Sequence, residues 1–190
     1  KILKTFKPDV AIGTGGFASG PLLYMASLKK VPTLILEQNS YPGITNKLLG
    51  KTVNRICVAY PGMEKYFDKE KISVTGSPIR EQIALNNISK AEATEFFKLK
   101  VDKPVLLIIG GSQGALGINK AVAVNLKGIT DLGVQVLWQT GISSFDDAIN
   151  EVKKNQLSAD IIVEKFISRM DMAYAASDIV ISRAGAIALA

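Results

Sequence analysis

The chain has 190 residues, 47% of them apolar, and no His, so the commonest general base and metal ligand is unavailable. Its one cysteine, Cys57, excludes an internal disulfide and reads as a buried structural thiol in a reducing compartment. No apolar run reaches the ~20 residues needed to span a bilayer, no segment reads as a signal peptide, and the carboxylates show no metal-ligand spacing.

The net charge of +6 is unevenly shared: residues 1–95 hold 13 Lys/Arg against 8 Asp/Glu, residues 96–190 hold 10 against 9. The first half is either a solvated basic surface or a face for something anionic, such as phospholipid or a phosphorylated acceptor. Aromatic residues are few and not interleaved with the basic ones, which argues against nucleic acid. The chain starts at Lys1 without Met and stops at Ala190 just after a glycine turn that should open a helix. It therefore reads as part of a longer protein.

Taken in order, Asp9–Gly13 is a short strand, Thr14–Gly20 a glycine loop, and Pro21–Leu28 a helix with Pro at its first position. Pro32–Leu36 is a buried strand ending in Glu37-Gln38-Asn39, and Thr45–Val53 a helix. Arg55–Tyr60 is a strand, Gly62–Phe67 a short helix and Ile72–Thr75 a strand, followed by Gly76-Ser77-Pro78-Ile79-Arg80. This alternation predicts a parallel sheet with ligands beyond the strand carboxyl ends. Residues 81–103 turn polar. Ser89 and Glu92 form a capping box for a helix to about Lys98, and the stretch reads as an interdomain connection. Alternation then restarts. Strand Val105–Ile109 runs into Gly110-Gly111-Ser112-Gln113-Gly114 and a helix carrying Leu116, Val122 and Leu126. Strand Val134–Gln139, helix Phe145–Asn155, strand Ile161–Phe166, helix Met170–Ala176, strand Ile179–Ser182 and turn Arg183–Gly185 follow.

Two βαβ series, each with an early glycine loop, predict an α/β protein of two Rossmann-like domains facing a cleft. Their expected spans are residues 1–80 and 104–190, joined by 81–103. A strand, a glycine turn and a helix N-terminus suit phosphate, because free N–H groups and the helix dipole both favour an anion. Gly13-Thr14-Gly15-Gly16-Phe17-Ala18 also fits the dinucleotide pattern, with Glu37 as the ribose acid. That loop is long for a dinucleotide turn, and the duplicated pattern is unlike a single nicotinamide domain. Arg80 offers a bidentate fork for phosphate or a base edge, and Asn39 and Gln113 offer neutral groups suited to sugar hydroxyls. With no activated nucleophile, the set suits glycosyl transfer from a donor whose leaving group is already a diphosphate.

The runs GTGGFASGP (Gly13–Pro21), EQNSYPGITNKLL (Glu37–Leu49), GSPIR (Gly76–Arg80), GGSQGA (Gly110–Ala115), EKFI (Glu164–Ile167) and AYAASDIVISRAGA (Ala173–Ala186) together resemble the MurG family. These are the undecaprenyl-diphospho-muramoyl-pentapeptide N-acetylglucosaminyltransferases of peptidoglycan synthesis. The resemblance covers essentially the whole chain. It implies a GT-B glycosyltransferase fold and metal-independent, inverting transfer of GlcNAc from UDP-GlcNAc to the muramoyl 4-hydroxyl of lipid I, giving lipid II. UDP-GlcNAc is then a donor substrate and no cofactor is required. The implied location is the cytoplasmic face of the bacterial cell membrane, bound peripherally to its anionic surface. Other cell-wall synthesis proteins are the implied partners.

By the same resemblance, donor contacts fall on Asn39, Arg80, Ser112 and Ile167, whose backbone would meet the uracil. The donor's diphosphate falls on Gly111, Gln113 and Gly114, and the acceptor's on Gly13, Thr14, Gly15 and Gly16. Ala186 and Ile187 would open a helix that helps to hold the donor. Leu36 stands where many members have His. The family's first glycine loop, with its candidate basic His, would precede Lys1, so no catalytic residue is assigned here and the 190 residues alone are expected to be inactive. The alternatives are another GT-B enzyme using a UDP-sugar (a UDP-GlcNAc 2-epimerase or a lipid glycosyltransferase) and a non-catalytic nucleotide-binding module.

Overall fold

The computed structural model describes residues 2–85 and 87–185, and these divide into two compact units, residues 2–78 with Gly185, and Ile79–Ala184. The first unit runs α1 (Ile2–Phe6), β1 (Ala11–Gly13), α2 (Ser19–Leu28), β2 (Thr33–Glu37), α3 (Ile44–Leu49), β3 (Arg55–Val58) and β4 (Ile72–Val74), with 3₁₀ turns at Met63–Lys65 and Lys69–Lys71. Its four strands are parallel in the order β1-β2-β3-β4. Short β-branched runs make these strands, and helical crossovers let consecutive strands lie parallel. The core gathers Leu23, Ile35, Leu49, Ile56, Val58 and Phe67. Two glycines permit this packing: a Cβ on Gly13 would strike the Leu23 side chain, and one on Gly50 would sit 2.6 Å from a Phe67 ring carbon.

The second unit runs α4 (Glu81–Ala84), α5 (Lys90–Phe96), β5 (Val105–Ile109), α6 (Leu116–Thr130), β6 (Gln135–Gln139), α7 (Phe145–Lys154), β7 (Ile161–Glu164), α8 (Met170–Ala176) and β8 (Ile179–Ser182), with a 3₁₀ turn at Ile142–Ser144. All four strands are parallel, in the order β7-β6-β5-β8. The period-2 alternation of β5 divides the core. Val105, Leu107 and Ile109 pack with Ala93, Phe97, Met172, Ala173 and Ala176 on the α5/α8 face. Ile108 packs with Val122, Leu126, Trp138, Ala148 and Val152 on the α6/α7 face. Helix α7 also carries Asp146 and Asp147 in its first turn and Lys153 and Lys154 in its last, matching the helix dipole.

The strands expected from sequence are all present, two of them with the expected bounds and the others with ends shifted by one or two residues. Helix α2 begins at Ser19, so Pro21 lies inside the first turn, where its missing N–H has no intrahelical carbonyl to lose. Helices α1 and α4 had no sequence signal. Cys57 is half-buried rather than buried. The largest revision concerns residues 81–103, expected as a connection between domains. Ser89 does cap α5, accepting from the Glu92 N–H at 3.2 Å, but α5 is a packing layer of the second unit. Only Ala93, Thr94 and Phe97 turn inward, and so short an apolar stripe in a charged stretch reads as linker.

Asp178 ties this layer to the sheet. Its carboxylate accepts from Lys90 Nζ at 2.6 and 2.7 Å and from the Val105 N–H at 2.8 Å, joining α5, β5 and the start of β8. The Lys90 ammonium, then the Val105 N–H, hold its pKa below the ordinary carboxylate range. A depressed native pKa gives stability that is present above the unfolded value, near pH ~3.9, and is lost as pH falls through the native one. Asp178→Asn should therefore lower stability by about 1 kcal/mol at pH 7, the partly screened worth of a pair this exposed. The deficit should shrink as pH falls below the unfolded value and through the native one, read by urea unfolding at pH 7 and in acid. An equal deficit at both would contradict the ion-pair account.

Candidate functional site

In a doubly wound sheet, ligands bind beyond the carboxyl ends of the strands at the point where strand order reverses. In the second unit that point lies between β5 and β8, since β6 and β7 extend one way from β5 and β8 lies on the other side. Two sequence features meet there: the glycine loop after β5 and the Arg183 turn after β8. Gly111 and Gly114 adopt φ of +85° and +78°, which only glycine holds without strain. The Gly114 N–H donates to the Gly111 carbonyl at 2.9 Å, so the loop folds on itself before α6 begins.

Three contacts hold this loop in place. Gly114 packs on the loop that follows β6, where a Cβ would strike the Thr140 carbonyl. Gly141 packs reciprocally, where a Cβ would strike the Gln113 carbonyl. Below them, buried Gln139 spans two segments: its Nε2 donates to the Gly111 carbonyl at 3.0 Å and its Oε1 accepts from the Ile167 N–H at 2.8 Å. Asn119 braces the same corner, donating to the Thr140 carbonyl at 2.8 Å and accepting from Trp138 Nε1 at 3.1 Å. The loop is thus fixed from beneath while Gly111, Ser112 and Gln113 stay exposed.

Ser112 does not cap α6. The N-cap is Ala115, without a side-chain cap bond. The Ser112 hydroxyl has no partner among the described residues and remains available to a ligand. The Arg183 guanidinium lies 2.9 Å from where a Gly111 Cβ would be, so a cation overhangs the loop. Backbone N–H groups, a free hydroxyl and an arginine fork together make an anion cradle of diphosphate character. Ile167 is 3% exposed and its N–H is spent on Gln139, so that N–H is not free for a base. Arg80 stands exposed just before α4, two residues past the boundary between the units, and α4 lies against α8. Ala186 and Ile187 lie outside the described residues.

In the first unit, Gly15 and Gly16 turn with φ of +90° and +79°, and Ser19 Oγ donates to both carbonyls at 2.9 and 3.0 Å. Thr14, Gly15, Gly16, Glu37, Asn39 and Asn46 help line a cavity of about 290 Å³ at the carboxyl ends of β1 and β2, with Gly13 closing β1 behind it. Glu37 is not a ribose ligand. It is 2% exposed, and its carboxylate accepts from the Asn39 N–H and Nδ2 at 3.0 and 2.9 Å, the Gly43 N–H at 3.0 Å and Asn46 Nδ2 at 2.9 Å. It therefore shapes the loop that carries Asn39. Asn46 Oδ1 is buried without a partner and lies 4.0 Å from where a Gly15 Cβ would be. A buried unpaired acceptor beside a cavity favours a ligand that brings a donor, such as a hydroxyl. Among the described residues no group of three or more His, Cys, Asp or Glu side chains is placed to hold a metal.

Gln139, Asn119 and Asn46 were not singled out by sequence reasoning. Gln139-Thr140-Gly141, polar residues closing an apolar strand, is the signal that could have pointed to the first. Arg183 stood inside a quoted motif without a role.

Two Rossmann-like units with glycine loops at their strand ends make this an α/β protein of the GT-B glycosyltransferase class. Residues 1–58 match the glycosyltransferase family 28 N-terminal domain and residues 105–190 the family 28 C-terminal domain. The two halves of one family thus match most of the chain, which belongs to glycosyltransferase family 28, and within that family it is similar to MurG proteins. It is 48% identical over 186 residues to the UDP-N-acetylglucosamine--N-acetylmuramyl-(pentapeptide) pyrophosphoryl-undecaprenol N-acetylglucosamine transferase of Parabacteroides distasonis, covering 98% of this chain and 50% of that protein. The crystal structure of Acinetobacter baumannii MurG matches with a TM-score of 0.67 and 31% identity over 98% of this chain and 50% of that one. The UDP-GlcNAc 2-epimerase of Neisseria meningitidis, bound to UDP-GlcNAc, shares the fold at a TM-score of 0.70 and 14% identity, over 98% and 57%. The chain thus spans about half the length of the curated relatives it matches.

Gln139→Leu should leave the buried Ile167 N–H unpaired and the Gly111 carbonyl with only its bond from the Gly114 N–H. Unfolding of the purified chain in urea should show a loss of about 1–3 kcal/mol, the cost of one such orphaned group. A loss below about 1 kcal/mol would mean that Gln139 does not hold the loop.

Proposed function

We propose that this chain supplies the donor loop and an acceptor loop of an enzyme that transfers GlcNAc from UDP-GlcNAc to the muramoyl 4-hydroxyl of lipid I, forming lipid II. The observation that carries the reading is the Gly111–Gly114 loop beneath Arg183 at the switch point. It is a diphosphate cradle, in a chain whose 47–49% identical relatives are named as this transferase. The acceptor oxygen attacks the anomeric carbon on the face opposite UDP, the C1–O bond breaks, and the electron pair stays on the β-phosphate. Inversion follows from the single displacement. The charge that develops on UDP is met by loop N–H groups, Ser112 and Arg183, a preorganised electrostatic role that requires no cofactor or metal. The group that removes the acceptor proton is not assigned to a residue of this chain.

Asn39 and Arg80 are proposed as further donor contacts, and Ile167 as a backbone neighbour of the uracil through groups other than its N–H. The Gly13–Gly16 loop and its cavity, with the unpaired Asn46 Oδ1, suit the acceptor's diphosphate and sugar. No helix among the described residues is long and apolar enough to cross a membrane. The basic excess of the first half supports peripheral attachment to the anionic cytoplasmic face, beside other cell-wall synthesis proteins. An epimerase is disfavoured, because the likeness to epimerases rests on 10–15% identity and shows the fold alone.

A protein of the relatives' full length that carries these residues should convert UDP-GlcNAc and lipid I into lipid II; release of UDP-ManNAc instead would indicate an epimerase. In that protein Ser112→Ala should weaken UDP-GlcNAc binding by about 1.5–3 kcal/mol in calorimetry, the worth of a hydrogen bond to a charged group. Unchanged affinity would remove Ser112 from the donor site. Arg183→Lys should not restore what Arg183→Ala loses, since a point charge lacks the planar fork; full recovery would count against a bidentate contact.

A further inference from the structure

Next to the polar cavity of the first unit lies an apolar groove of about 550 Å³ between α2 and α3. Phe17, Pro21, Tyr24 and Leu48 line it, with Lys51 at its edge. The helices meet closely at Gly20, where a Cβ would sit 3.3 Å from Thr45 Cγ2. Phe17 is 91% exposed, Leu48 65% and Tyr24 50%, and apolar side chains clustered this openly mark a surface that something covers. Thr45 lines both the groove and the polar cavity, and the Gly15-Gly16-Phe17 turn borders both, so the two adjoin. One end offers positive-φ backbone and an unpaired buried acceptor; the other offers aliphatic and aromatic surface with a lysine beside it. That sequence of environments fits an amphiphile whose anionic, hydroxylated head adjoins an apolar tail.

Resting on the acceptor assignment above, we propose that the α2–α3 groove holds the first isoprene units of the acceptor's polyprenyl chain while its diphosphate lies at the Gly13–Gly16 loop. The groove is then part of the substrate site and not only a face laid on the bilayer. It lets the first unit select a prenyl diphosphate over a soluble sugar diphosphate. Each methylene removed from water multiplies affinity by roughly four, so even a partial tail gives a large preference.

The test is calorimetric titration of the chain with farnesyl diphosphate and, separately, with inorganic diphosphate. Farnesyl diphosphate should bind at least tenfold more tightly. Leu48→Asp, on an exposed face of α3, should erase that margin while leaving the thermal midpoint unchanged, and Phe17→Ser serves as the second variant if the first does not fold. Equal affinity for the two probes, or a preference that survives both substitutions, overturns the proposal. So does Leu48-dependent binding to anionic phospholipid vesicles without any preference for farnesyl diphosphate, which would make the groove a bilayer contact. The two probes separate the outcomes: failure of both diphosphates to bind strikes the acceptor reading, whereas loss of the farnesyl preference alone strikes the groove.

Discussion

The site in the second unit depends on backbone meeting backbone. The loops after β5 and β6 approach so closely that neither Gly114 nor Gly141 has room for a Cβ, and both hold a left-handed φ of +78°. Any side chain at either position would push the loops apart and strain the chain as well. This approach places the Gly111 carbonyl over Gln139, and Gln139 ties the loop to the segment carrying Ile167. The exposed upper surface, with Ser112 and the overhanging Arg183, is the consequence. The proposed diphosphate site is built from glycines that make room, buried amides that fix the position and a few exposed groups left free for a ligand.

The first unit solves the same problem differently. Its loop also turns on two glycines, but the fixing group is a buried carboxylate. Glu37 accepts four hydrogen bonds from Asn39, Gly43 and Asn46 and so organises the loop after β2 from inside. A charge buried this way is tolerated because its hydrogen bonds replace water. Asn46 is oriented by the same network and is left with an unpaired oxygen toward the cavity. The second unit braces its loop with neutral amides and leaves cations and hydroxyls outward. The first braces with an anion and leaves an acceptor and an apolar groove. This difference in polarity underlies the proposal of a nucleotide-diphosphate site in the second unit and a lipid-linked sugar site in the first.

Much of this was legible in the sequence. Apolar runs closed by glycine clusters marked β1, β5 and their loops, and the alternation of strand and helix implied two parallel sheets. Gly111 and Gly114 turn with positive φ and Ser112 stays exposed in the loop that the glycine cluster marked. What was not legible depends on contacts between distant segments. Glu37 reads as a ribose ligand in a glycine-loop pattern, and only the fold shows its carboxylate turned inward. Ile167 reads as a backbone contact, but its N–H meets Gln139 from a strand 28 residues away. Helix α5 reads as linker, because its inward stripe is small and becomes apolar surface only against α8. Arg183 lies 72 residues from Gly111, and strand order alone brings them together.

The central claim is that the loop held by Gln139 and Gly141 is where the donor's diphosphate binds. Its most direct test is to follow backbone amide resonances of the chain as UDP is added. The largest shifts should fall on Gly111, Ser112, Gln113 and Gly114, with the Arg183 side chain responding in step and the loop after β1 little affected. Shifts centred on Gly13–Gly16, with residues 111–114 unmoved at saturation, would contradict the account.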